Sequence, residues 1–524
     1  MTLVTLQEAS QWAAKHLAQE VSLSNISYLV QYGKVKKYGE NGSTKISLED
    51  LKKYYQGYKS RREVDWKKIL GADLNWGLSF DHLREIDTTK HVHRLHPYKG
   101  KFIPQLVEYF LGNHTDDFKK KIYFKKGDVV LDPFLGSGTT LIQANELGMH
   151  GIGIDVSAFN CVISNTKLQN YDTKILRDAL QSMKAFVQEL ENEKIQQFDQ
   201  EVLAALSLFN NKHFPSPQFK VDVFRKKINE DVYAQVKEKE FKKIYDVICR
   251  KYKIQMQSNS TGSFVDKWFV ESVRSEIDAL VQFVKKQKDV RVKQLLAVVL
   301  SRTARSCRAT THSDLATLKE PQFTAYYCYK HKKICKPLFS IRKMLDRYAD
   351  DTLLRIERFS TLKTDAFSGI IAGDSRTVDI VKEMEKKNPL LAALLQKKKI
   401  NGIFSSPPYV GQIDYHEQHA YAYDLFGFAR KDKAEIGPLW KGQGQTARDE
   451  YVAGIATVLN NCKKYLADNY DIFLVANDKW NLYPTIAEKA GMQIVQRFKR
   501  PVLNRTERDR NPYSETIFHM KKAG

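Results

Sequence analysis

One stretch of the sequence, DVVLDPFLGSGTTLIQANELGMHGIGIDVS at residues 128–157, restricts the possible folds more than any other part of the chain. The apolar run Val129–Leu131 predicts a short buried strand, and the apolar spacing of Thr140–Leu147 predicts a helix. Gly148 ends that helix, and Gly151–Ile154 predicts a second strand. Strand, helix and strand at this spacing form a βαβ unit, which places two parallel strands in the sheet of an α/β fold.

The turn between the first strand and the helix has the features of a ligand-binding loop. Gly136 and Gly138 allow the backbone to come close to a bound group, and Asp155 follows the second strand, where an acid can bind a ribose. Asp132-Pro133-Phe134 comes before the glycines, and the lysine of a phosphate-binding GxxxxGKS/T loop is absent from this turn. The segment therefore predicts a nucleotide-like ligand that has no triphosphate.

A second motif, Ser406-Pro407-Pro408-Tyr409, follows the apolar pair Ile403-Phe404. Proline has no backbone N–H and a fixed φ, so this tetrapeptide leaves the predicted strand in a rigid turn that presents carbonyl oxygens. Those oxygens and the Ser406 hydroxyl can accept hydrogen bonds from an exocyclic amine, and the Tyr409 ring can stack on a planar base. An ordinary Pro-Pro loop would explain this motif alone, but the chain also carries the glycine turn.

Together, DPFLGSGTT and SSPPY resemble the S-adenosylmethionine-dependent amino-methyltransferases, which modify cytosine N4 or adenine N6 in DNA, commonly in bacterial restriction-modification systems. The resemblance extends from about His96 to the end of the chain and is interrupted by a long insert. It implies a Rossmann-like methyltransferase fold with a mixed sheet, S-adenosylmethionine as the cofactor and double-stranded DNA as the substrate. A separate cognate restriction endonuclease is a further partner that it implies.

The resemblance also assigns site residues. HPYKGKFIPQLVEYFL at residues 96–111 and IIAGDSRTV at residues 370–378 are similar to two other family segments around the cofactor. The implied cofactor-binding residues are Lys101, Phe102, Asp132, Pro133, Phe134, Gly136, Ser137, Gly138, Thr139, Asp155 and Asp374. The implied catalytic residues are Ser406, Pro407, Pro408 and Tyr409. The target base has to be flipped out of the duplex, with Tyr409 stacked on it, and Tyr415, Tyr421 and Tyr423 either line the same cavity or belong to a packed helix.

The target amine stays open between two bases. In the family, Ser before Pro-Pro-Tyr goes mostly with cytosine N4, and Asp or Asn goes mostly with adenine N6, so Ser406 favours cytosine N4. The order of the motifs, with SSPPY after the glycine turn, differs from that of most cytosine-N4 enzymes and keeps adenine N6 as the alternative. None of the 6 cysteines lies in the Pro-Cys site that a cytosine-C5 nucleophile requires, which disfavours that class.

Charge and composition agree with a nucleic-acid substrate. The formal net charge is +23 and the pI is about 9.4, which suits a polyanion better than a small acidic metabolite, although solvated lysines alone also give such values. The sequence has no apolar stretch typical of a signal peptide or a bilayer span, so we expect a cytoplasmic, nucleoid-associated bacterial protein with no membrane partner. Its few cysteines fit a reducing compartment.

Residues 1–57 predict a separate DNA-binding module. Two short amphipathic stretches, the second with Ser24 as its helix N-cap, precede a polar segment, and together they resemble an excisionase-type winged helix-turn-helix. That resemblance places Ser24, Asn25, Ser27, Tyr28 and Gln31 in the major groove. A helical module that only packs or dimerises is the alternative. Residues 58–90 are charged and irregular and predict a linker.

The rest of the chain divides into a cofactor-binding half at residues 91–170, a mostly helical insert at 171–363 and a base-pocket half at 364–524. The family usually has its target-recognition region in the insert, so we expect the insert to read the DNA sequence. One of its predicted helices carries Arg302, Arg305 and Arg308 at three-residue spacing, which predicts a basic stripe that faces DNA.

Soft metal ligands also occur in the insert. They are Cys307, His312, Cys328, His331 and Cys335. Their spacing matches no regular zinc finger, and AYYCYKHKKICKP can equally be a buried aromatic strand with a basic turn. The sequence alone therefore assigns no metal site.

Two other functions fit parts of the sequence. A regulatory DNA-binding protein would use the helix-turn-helix and keep an inactive methyltransferase body, but both motifs are intact. An RNA amino-methyltransferase would have a similar pocket, but the helix-turn-helix favours duplex DNA.

Overall fold

The computed structural model describes residues 2–17, 21–31, 35–38, 44–98, 100–257, 262–312, 314, 319–414, 416–503 and 511–524. The chain folds into two compact units, each built from separate stretches of sequence. The first unit comprises Met1–Ile69, Glu189–Glu276 and Ser306–Ile341, and the second comprises Leu70–Gln188, Ile277–Arg305 and Arg342–Gly524. The helical insert contributes to both units.

Strands and helices are numbered in chain order. The strands are β1 (Leu3–Thr5), β2 (Lys37–Tyr38), β3 (Lys45–Ser47), β4 (Val129–Asp132), β5 (His150–Asp155), β6 (Tyr326–Cys328), β7 (Lys333–Cys335), β8 (Ser368–Ala372), β9 (Ile400–Ser405), β10 (Leu466–Ala476), β11 (Met492–Pro501) and β12 (Ser514–Lys522). The helices are α1 (Leu6–Leu17), α2 (Leu23–Gln31), α3 (Leu48–Leu70), α4 (Glu85–Thr88), α5 (Pro104–Leu111), α6 (Thr139–Glu146), α7 (Ala158–Leu168), α8 (Thr173–Glu189), α9 (Glu193–His213), α10 (Gln218–Phe224), α11 (Glu230–Tyr252), α12 (Phe264–Trp268), α13 (Glu271–Lys285), α14 (Val290–Cys307), α15 (Arg342–Ser360), α16 (Ile380–Lys387), α17 (Pro389–Lys397), α18 (Ala420–Phe426), α19 (Gln445–Lys463) and α20 (Tyr483–Lys489). Of the helices within the described ranges, none is both long and apolar enough to cross a bilayer.

A seven-stranded mixed sheet in the order β11-β12-β10-β9-β4-β5-β8 forms the centre of the second unit. The five strands from β10 to β8 pair in parallel, whereas β12 runs antiparallel to both β10 and β11. This confirms the predicted α/β class with a Rossmann-like methyltransferase sheet, and it confirms the βαβ unit β4-α6-β5. Because β4 pairs directly with β9, the ends of the two strands that carry the motifs lie side by side.

Both faces of this sheet are covered, which explains why its central strands read as continuous apolar runs. Along β9, Ile403 belongs to the apolar cluster that includes residues of α16, α19 and α20. Its neighbour Phe404 belongs to the cluster on the other face, with Phe110 of α5 and Phe473 of β10. A strand buried on both faces can present functional groups only at its ends, and the two motifs begin there.

The N-terminal part of the first unit has the order β1-α1-α2-β2-β3-α3, with its strands in the sheet order β1-β3-β2. Helix α2 starts at Leu23, and Ser22 caps it: the Asn25 amide donates to Ser22 Oγ at 3.2 Å, and the Ser22 amide donates to Asn25 Oδ1 at 3.0 Å. The prediction of Ser24 as the N-cap is therefore wrong by two residues. The reciprocal Ser22 and Asn25 bonds form a capping pair at the start of α2.

The predicted linker begins inside a helix. Helix α3 continues to Leu70, so residues 58–70 are helical rather than irregular. Charged side chains stabilise a solvent-facing helix when opposite charges lie four residues apart, as Glu63 and Lys67 do at 2.6 Å. The charged composition was therefore compatible with a helix, and helix α4 (Glu85–Thr88) also lies within residues 58–90.

Candidate active site

A pocket lies at the carboxyl ends of the parallel strands of the second unit. Of the predicted cofactor-binding residues, Lys101, Phe102, Asp132, Pro133, Phe134, Gly136, Ser137, Thr139, Asp155 and Asp374 line it, and Gly138 does not. Of the predicted catalytic residues, Ser406 and Pro408 line it, and Pro407 and Tyr409 do not. The structure therefore brings both motifs to one cavity, as ligand binding at the strand ends of an open α/β sheet requires.

The glycine turn depends on backbone conformations that other residues rarely adopt. Gly136 has φ +50°, and a Cβ there would lie 3.1 Å from the Tyr98 hydroxyl. Gly138 has φ +80°, and its Cβ would lie 2.8 Å from Ser164 Oγ. Ser164 Oγ also donates to the Gly136 carbonyl at 3.2 Å, so α7 holds the turn from behind. Although Gly138 does not line the pocket, it fixes the turn that does.

Asp155 connects the end of β5 to this turn. Its carboxylate accepts the Gly136 amide at 2.8 Å, the Ser157 amide at 2.8 Å and the Asn160 side-chain amide at 3.1 Å. Burial raises the pKa of Asp155 to about 6, although these hydrogen bonds act in the opposite direction. Asp155 therefore positions the glycine turn as well as facing the pocket.

Asp132, the last residue of β4, is joined to the neighbouring strand β9. Ser405 Oγ donates to Asp132 Oδ1 at 2.6 Å, and the Phe134 amide donates to the same oxygen at 3.1 Å. Burial raises the pKa of Asp132 to about 6, and the hydrogen bond from Ser405 partly offsets the rise. The Ser405 hydroxyl is a site contact that the sequence analysis missed, because the analysis assigned a role only to the second serine of SSPPY.

Asp374 lies beyond the end of β8 and is partly exposed. Burial acts to raise its pKa, but hydrogen bonds from Arg376 outweigh that effect and the pKa is lowered. The guanidinium of Arg376 donates to both carboxylate oxygens of Asp374, to Oδ1 at 2.9 Å and to Oδ2 at 2.6 Å. The next residue, Ser375, donates to the Pro133 carbonyl at 2.6 Å and so connects this strand end to the glycine turn.

The SSPPY turn is held by β10 and β12. Ser406 Oγ donates to the Val475 carbonyl at 3.1 Å, which leaves lone pairs of the hydroxyl oxygen able to accept. Tyr409 is 9% exposed, and its hydroxyl donates to Glu515 Oε1 at 2.8 Å. Burial and the adjacent Glu515 carboxylate hold the pKa of Tyr409 well above its usual value. Its ring therefore packs in the core beside the pocket, and the second oxygen of Glu515 lies 3.3 Å from Arg500.

Among the nearby tyrosines, Tyr421 and Tyr423 are buried on helix α18, which supports the packed-helix alternative for these two residues. The Tyr423 hydroxyl lies 2.8 Å from Ser157 Oγ, directly behind the pocket wall. Tyr415 lies outside the part of the chain that the structure describes.

Glu435 also lines the pocket, and no sequence motif pointed to it. Its Oε1 accepts the His416 amide at 2.9 Å, whereas its buried Oε2 has no hydrogen-bond partner. Burial raises the pKa of Glu435 to about 8, helped by the nearby Asp414. A buried carboxyl oxygen without a partner costs free energy, which a donor on a bound ligand would offset.

The charged groups of the pocket favour a cationic ligand. Four carboxyl groups line it, those of Asp132, Asp155, Asp374 and Glu435, against the one ammonium group of Lys101. Burial lowers the pKa of Lys101 to about 8, and its Nζ donates to the His93 carbonyl at 2.8 Å. Phe134, Ile436 and Val458 supply apolar surface for a flat ring. The balance is unsuited to a triphosphate, in agreement with the sequence.

The predicted DNA-facing residues do not all lie on the surface. Arg302 is 7% exposed, pairs with Asp351 at 2.6 Å and stacks on Tyr348 at 4.2 Å. Arg308 is also 7% exposed and follows the end of α14. Because Asp351 of α15 holds Arg302 in a buried ion pair and Arg308 is also buried, these two arginines do not form the predicted exposed stripe. A role of Arg302, Arg305 and Arg308 in DNA binding stays a prediction.

The predicted recognition residues belong to α2. Asn25 is exposed, although its side chain takes part in the helix cap, and Ser27 is partly buried. The side chains of Ser24, Tyr28 and Gln31 lie outside what the structure describes.

Comparison with known proteins gives a relative that matches over nearly the whole chain. The type II methyltransferase M.MjaII of Methanocaldococcus jannaschii is 47% identical over 527 residues, which covers 99% of this chain and 97% of that protein. Two other type II methyltransferases match shorter parts: M.BsoBI of Geobacillus stearothermophilus is 43% identical over 65 residues, 12% of this chain and 11% of that protein, and M.MvaI of Kocuria varians is 30% identical over 104 residues, 20% of this chain and 22% of that protein. A family model described as a DNA methylase of the N6/N4 class matches residues 19–166.

Proposed function

The chain belongs to the type II DNA methyltransferases of the N4/N6 amino-methylase family, and from this premise we propose that it methylates the exocyclic N4 of cytosine in duplex DNA. The observation that carries the proposal is the meeting of the glycine turn and the SSPPY turn in one pocket. An amino-methyltransferase needs a methyl donor and an exocyclic amine in contact, and these two turns offer one site for each.

S-adenosylmethionine is the proposed methyl donor, and when bound it supplies a methyl group on a positively charged sulfonium. Three features of the pocket fit it. The carboxyl groups suit a cation, Phe134 and Ile436 supply apolar surface for the adenine ring, and the unpaired Glu435 Oε2 can accept a donor such as a ribose hydroxyl. In this proposal Asp155 and Glu435 face the ribose, and Phe134 and Ile436 contact the adenine.

The SSPPY turn is proposed to hold the target amine. The lone pair of such an amine is delocalised into the ring, and hydrogen bonds from its two N–H groups to fixed oxygens favour the sp³ form that attacks a methyl group. Ser406 can supply one such oxygen, because its own proton is committed to the Val475 carbonyl. The carbonyl of Pro407 would supply the other. No covalent bond between enzyme and base is required.

Tyr409 would stack on the flipped base. The ring is held rigidly, because it is 9% exposed and its hydroxyl is bound to Glu515. A fixed platform of this kind lowers the entropy lost when the base binds.

The preference for cytosine over adenine depends on Ser406, since the adenine enzymes of the family mostly have Asp or Asn at that position. Adenine N6 is the second candidate, favoured by the order of the two motifs along the chain. We also propose that part of the insert and the module of residues 1–57 contact DNA, and that a separate endonuclease cuts the same site when it is unmodified.

The test is mass spectrometry of nucleosides from mixed-sequence duplex DNA incubated with the protein and S-adenosylmethionine that carries a heavy methyl group. Heavy N4-methylcytosine is the expected product. Heavy N6-methyladenine would support methyl transfer to an exocyclic amine but contradict cytosine as the target base. Label found in RNA but not in DNA, or in neither, would overturn the proposal. The Ser406→Ala variant is the control, since it should bind the cofactor but form labelled nucleoside about a hundredfold to a thousandfold more slowly.

A further inference from the structure

Four side chains with metal-binding atoms converge in the first unit. They are His312, Cys328, His331 and Cys335, and their ligand atoms all lie within 4.8 Å of one another. We call this group the Cys2His2 cluster. Cys307, which the sequence grouped with these residues, is buried at the end of α14 and is not a member.

The distances inside the cluster fit a tetrahedral ion. His312 Nδ1 lies 3.6 Å from Cys328 Sγ, and His331 Nδ1 lies 3.5 Å from Cys335 Sγ. Bond lengths of about 2.3 Å for Zn–S and about 2.0–2.1 Å for Zn–N place sulfur and nitrogen roughly 3.6 Å apart at a tetrahedral angle. The two nitrogen–sulfur distances in the cluster are therefore close to those of a zinc site.

A tight hairpin brings three of the ligands together. Strands β6 and β7 pair so that Tyr326 lies opposite Cys335 and Cys328 lies opposite Lys333. The turn between them contains Lys332 at φ +56°, and the His331 amide donates to Cys328 Sγ at 3.4 Å. A backbone N–H that points at a cysteine sulfur stabilises the negative charge that the sulfur carries when it binds a metal.

The fourth ligand comes from another part of the chain. His312 is exposed and lies in the segment after α14, and the Tyr326 hydroxyl contacts its Nδ1 at 2.8 Å. An ion bound at Nδ1 would replace that hydrogen bond. The site would then join the segment after α14 to the hairpin.

The hairpin has a physical need for such a link. A two-stranded sheet is only marginally stable by itself in water. Here Asn210 of α9 exchanges two hydrogen bonds of 3.0 Å with the backbone of Ile334, and Glu238 of α11 accepts the Tyr327 amide at 2.9 Å. These contacts fix one side of the hairpin, and an ion bound by the cluster would fix its turn.

We propose that the Cys2His2 cluster binds one Zn²⁺ ion with a structural role. Two thiolates and two imidazoles complete a tetrahedral zinc sphere, so no position is left for water or substrate, as is typical of structural rather than catalytic zinc. Both cysteines are free thiols in the structure, so they are available as ligands. The proposal is independent of the methyltransferase chemistry.

The test is the zinc content of the full-length protein, purified without chelators and measured by inductively coupled plasma mass spectrometry. We expect about one zinc per chain. The Cys328→Ser/Cys335→Ser variant should lose at least tenfold in bound zinc, and Cys249→Ser, a cysteine of the same unit outside the cluster, should lose none.

A second variant keeps the test valid if the double variant unfolds. His312 is exposed, so His312→Ala should fold normally and release zinc to a competing chelator at a concentration at least tenfold lower. Cobalt put in place of zinc should give the thiolate charge-transfer absorption in the unmodified protein, and that absorption should be lost in Cys328→Ser/Cys335→Ser. The proposal is overturned by zinc-free protein that binds none when Zn²⁺ is added, by equal zinc in the double variant, or by a Cys328–Cys335 disulfide in anaerobically purified protein.

Discussion

The two turns that form the pocket are stabilised in different ways. The residues Gly136 and Ser137 of the glycine turn are held from nearby in the sequence: Asp155 accepts the Gly136 amide across 19 residues, and Lys167 donates to the Ser137 carbonyl across 30 residues. The SSPPY turn depends on distant strands, since Ser406 reaches Val475 across 69 residues and Tyr409 reaches Glu515 across 106. The first turn is fixed through its backbone and the second through its side chains.

This difference suggests that donor binding and methyl transfer can be impaired separately. Two adjacent serines contact different parts of the site. Ser405 donates to Asp132, which comes before the glycine turn, and Ser406, in the SSPPY turn, donates to Val475. Substitutions on each side should therefore change different kinetic quantities, and the following predictions test that separation.

The largest expected effect is that of Ser406→Ala. Loss of an oxygen that contacts the reacting amine should lower kcat by about a hundredfold to a thousandfold, with the Kd for S-adenosylmethionine unchanged. Single-turnover methylation and calorimetric binding measure the two quantities. The matched variant Ser405→Ala should do the reverse, raising the Kd while kcat at saturation is kept. If both variants changed kcat alone, the two turns would not be separable.

Gly138→Ala should act on the glycine side. Positive φ costs an L-residue about 1–2 kcal/mol, and the added Cβ would also lie 2.8 Å from Ser164 Oγ, so we expect the Kd for S-adenosylmethionine to rise about tenfold. Gly427→Ala is the control: Gly427 has φ +70° but nothing within 4 Å of the added Cβ. It should lower the Tm and leave the Kd unchanged. An equal rise in Kd for both variants would rule out the local explanation.

Tyr409→Phe, in the SSPPY turn, should lower kcat less than Ser406→Ala does. It leaves a carboxylate oxygen of the partly buried Glu515 without its donor, which costs about 1–3 kcal/mol of stability, and the displaced ring should lower kcat by about threefold to tenfold. Tyr245→Phe removes a similar contact in the first unit, the 3.3 Å bond to the Phe323 carbonyl. It should lower the Tm without lowering kcat. Full activity of Tyr409→Phe would disprove a role for the Glu515 contact in positioning the ring.

The smallest effect concerns pH. The raised pKa values of Asp132, Asp155 and Glu435, about 6, 6 and 8, mean that these acids take up protons as the pH falls from 8 to 6. A cationic donor prefers the carboxylates, so its Kd should rise about threefold per pH unit over this range, and binding should release protons. Calorimetry in buffers of different ionisation enthalpy measures that release. Glu435→Gln should remove the change in Kd above pH 7. If the variant kept the same pH dependence of the Kd as the unmodified protein, Glu435 would not face the ligand.

Sequence predicted the glycine side better than the other parts of the molecule, because strand, turn, helix and acid all lie within one short window with distinct periods. Contacts between distant strands left no such signal. Glu435 has no motif around it, and only the folded chain shows that Ser405 rather than Ser406 reaches Asp132. The spacing of the arginines would give an exposed stripe on an isolated helix. In the folded chain, Asp351 of α15 holds Arg302 in a buried ion pair.

The position of β12 has a consequence for how this protein is made. β12 follows β11 in the chain but lies between β10 and β11 in the sheet, and it carries the Glu515 that holds Tyr409. On the ribosome, where synthesis proceeds at about 5–20 residues per second, β10 and β11 emerge before the strand that joins them. The glycine turn can therefore form before the SSPPY turn is held in place. A nascent chain should bind the methyl donor before it can transfer the methyl group.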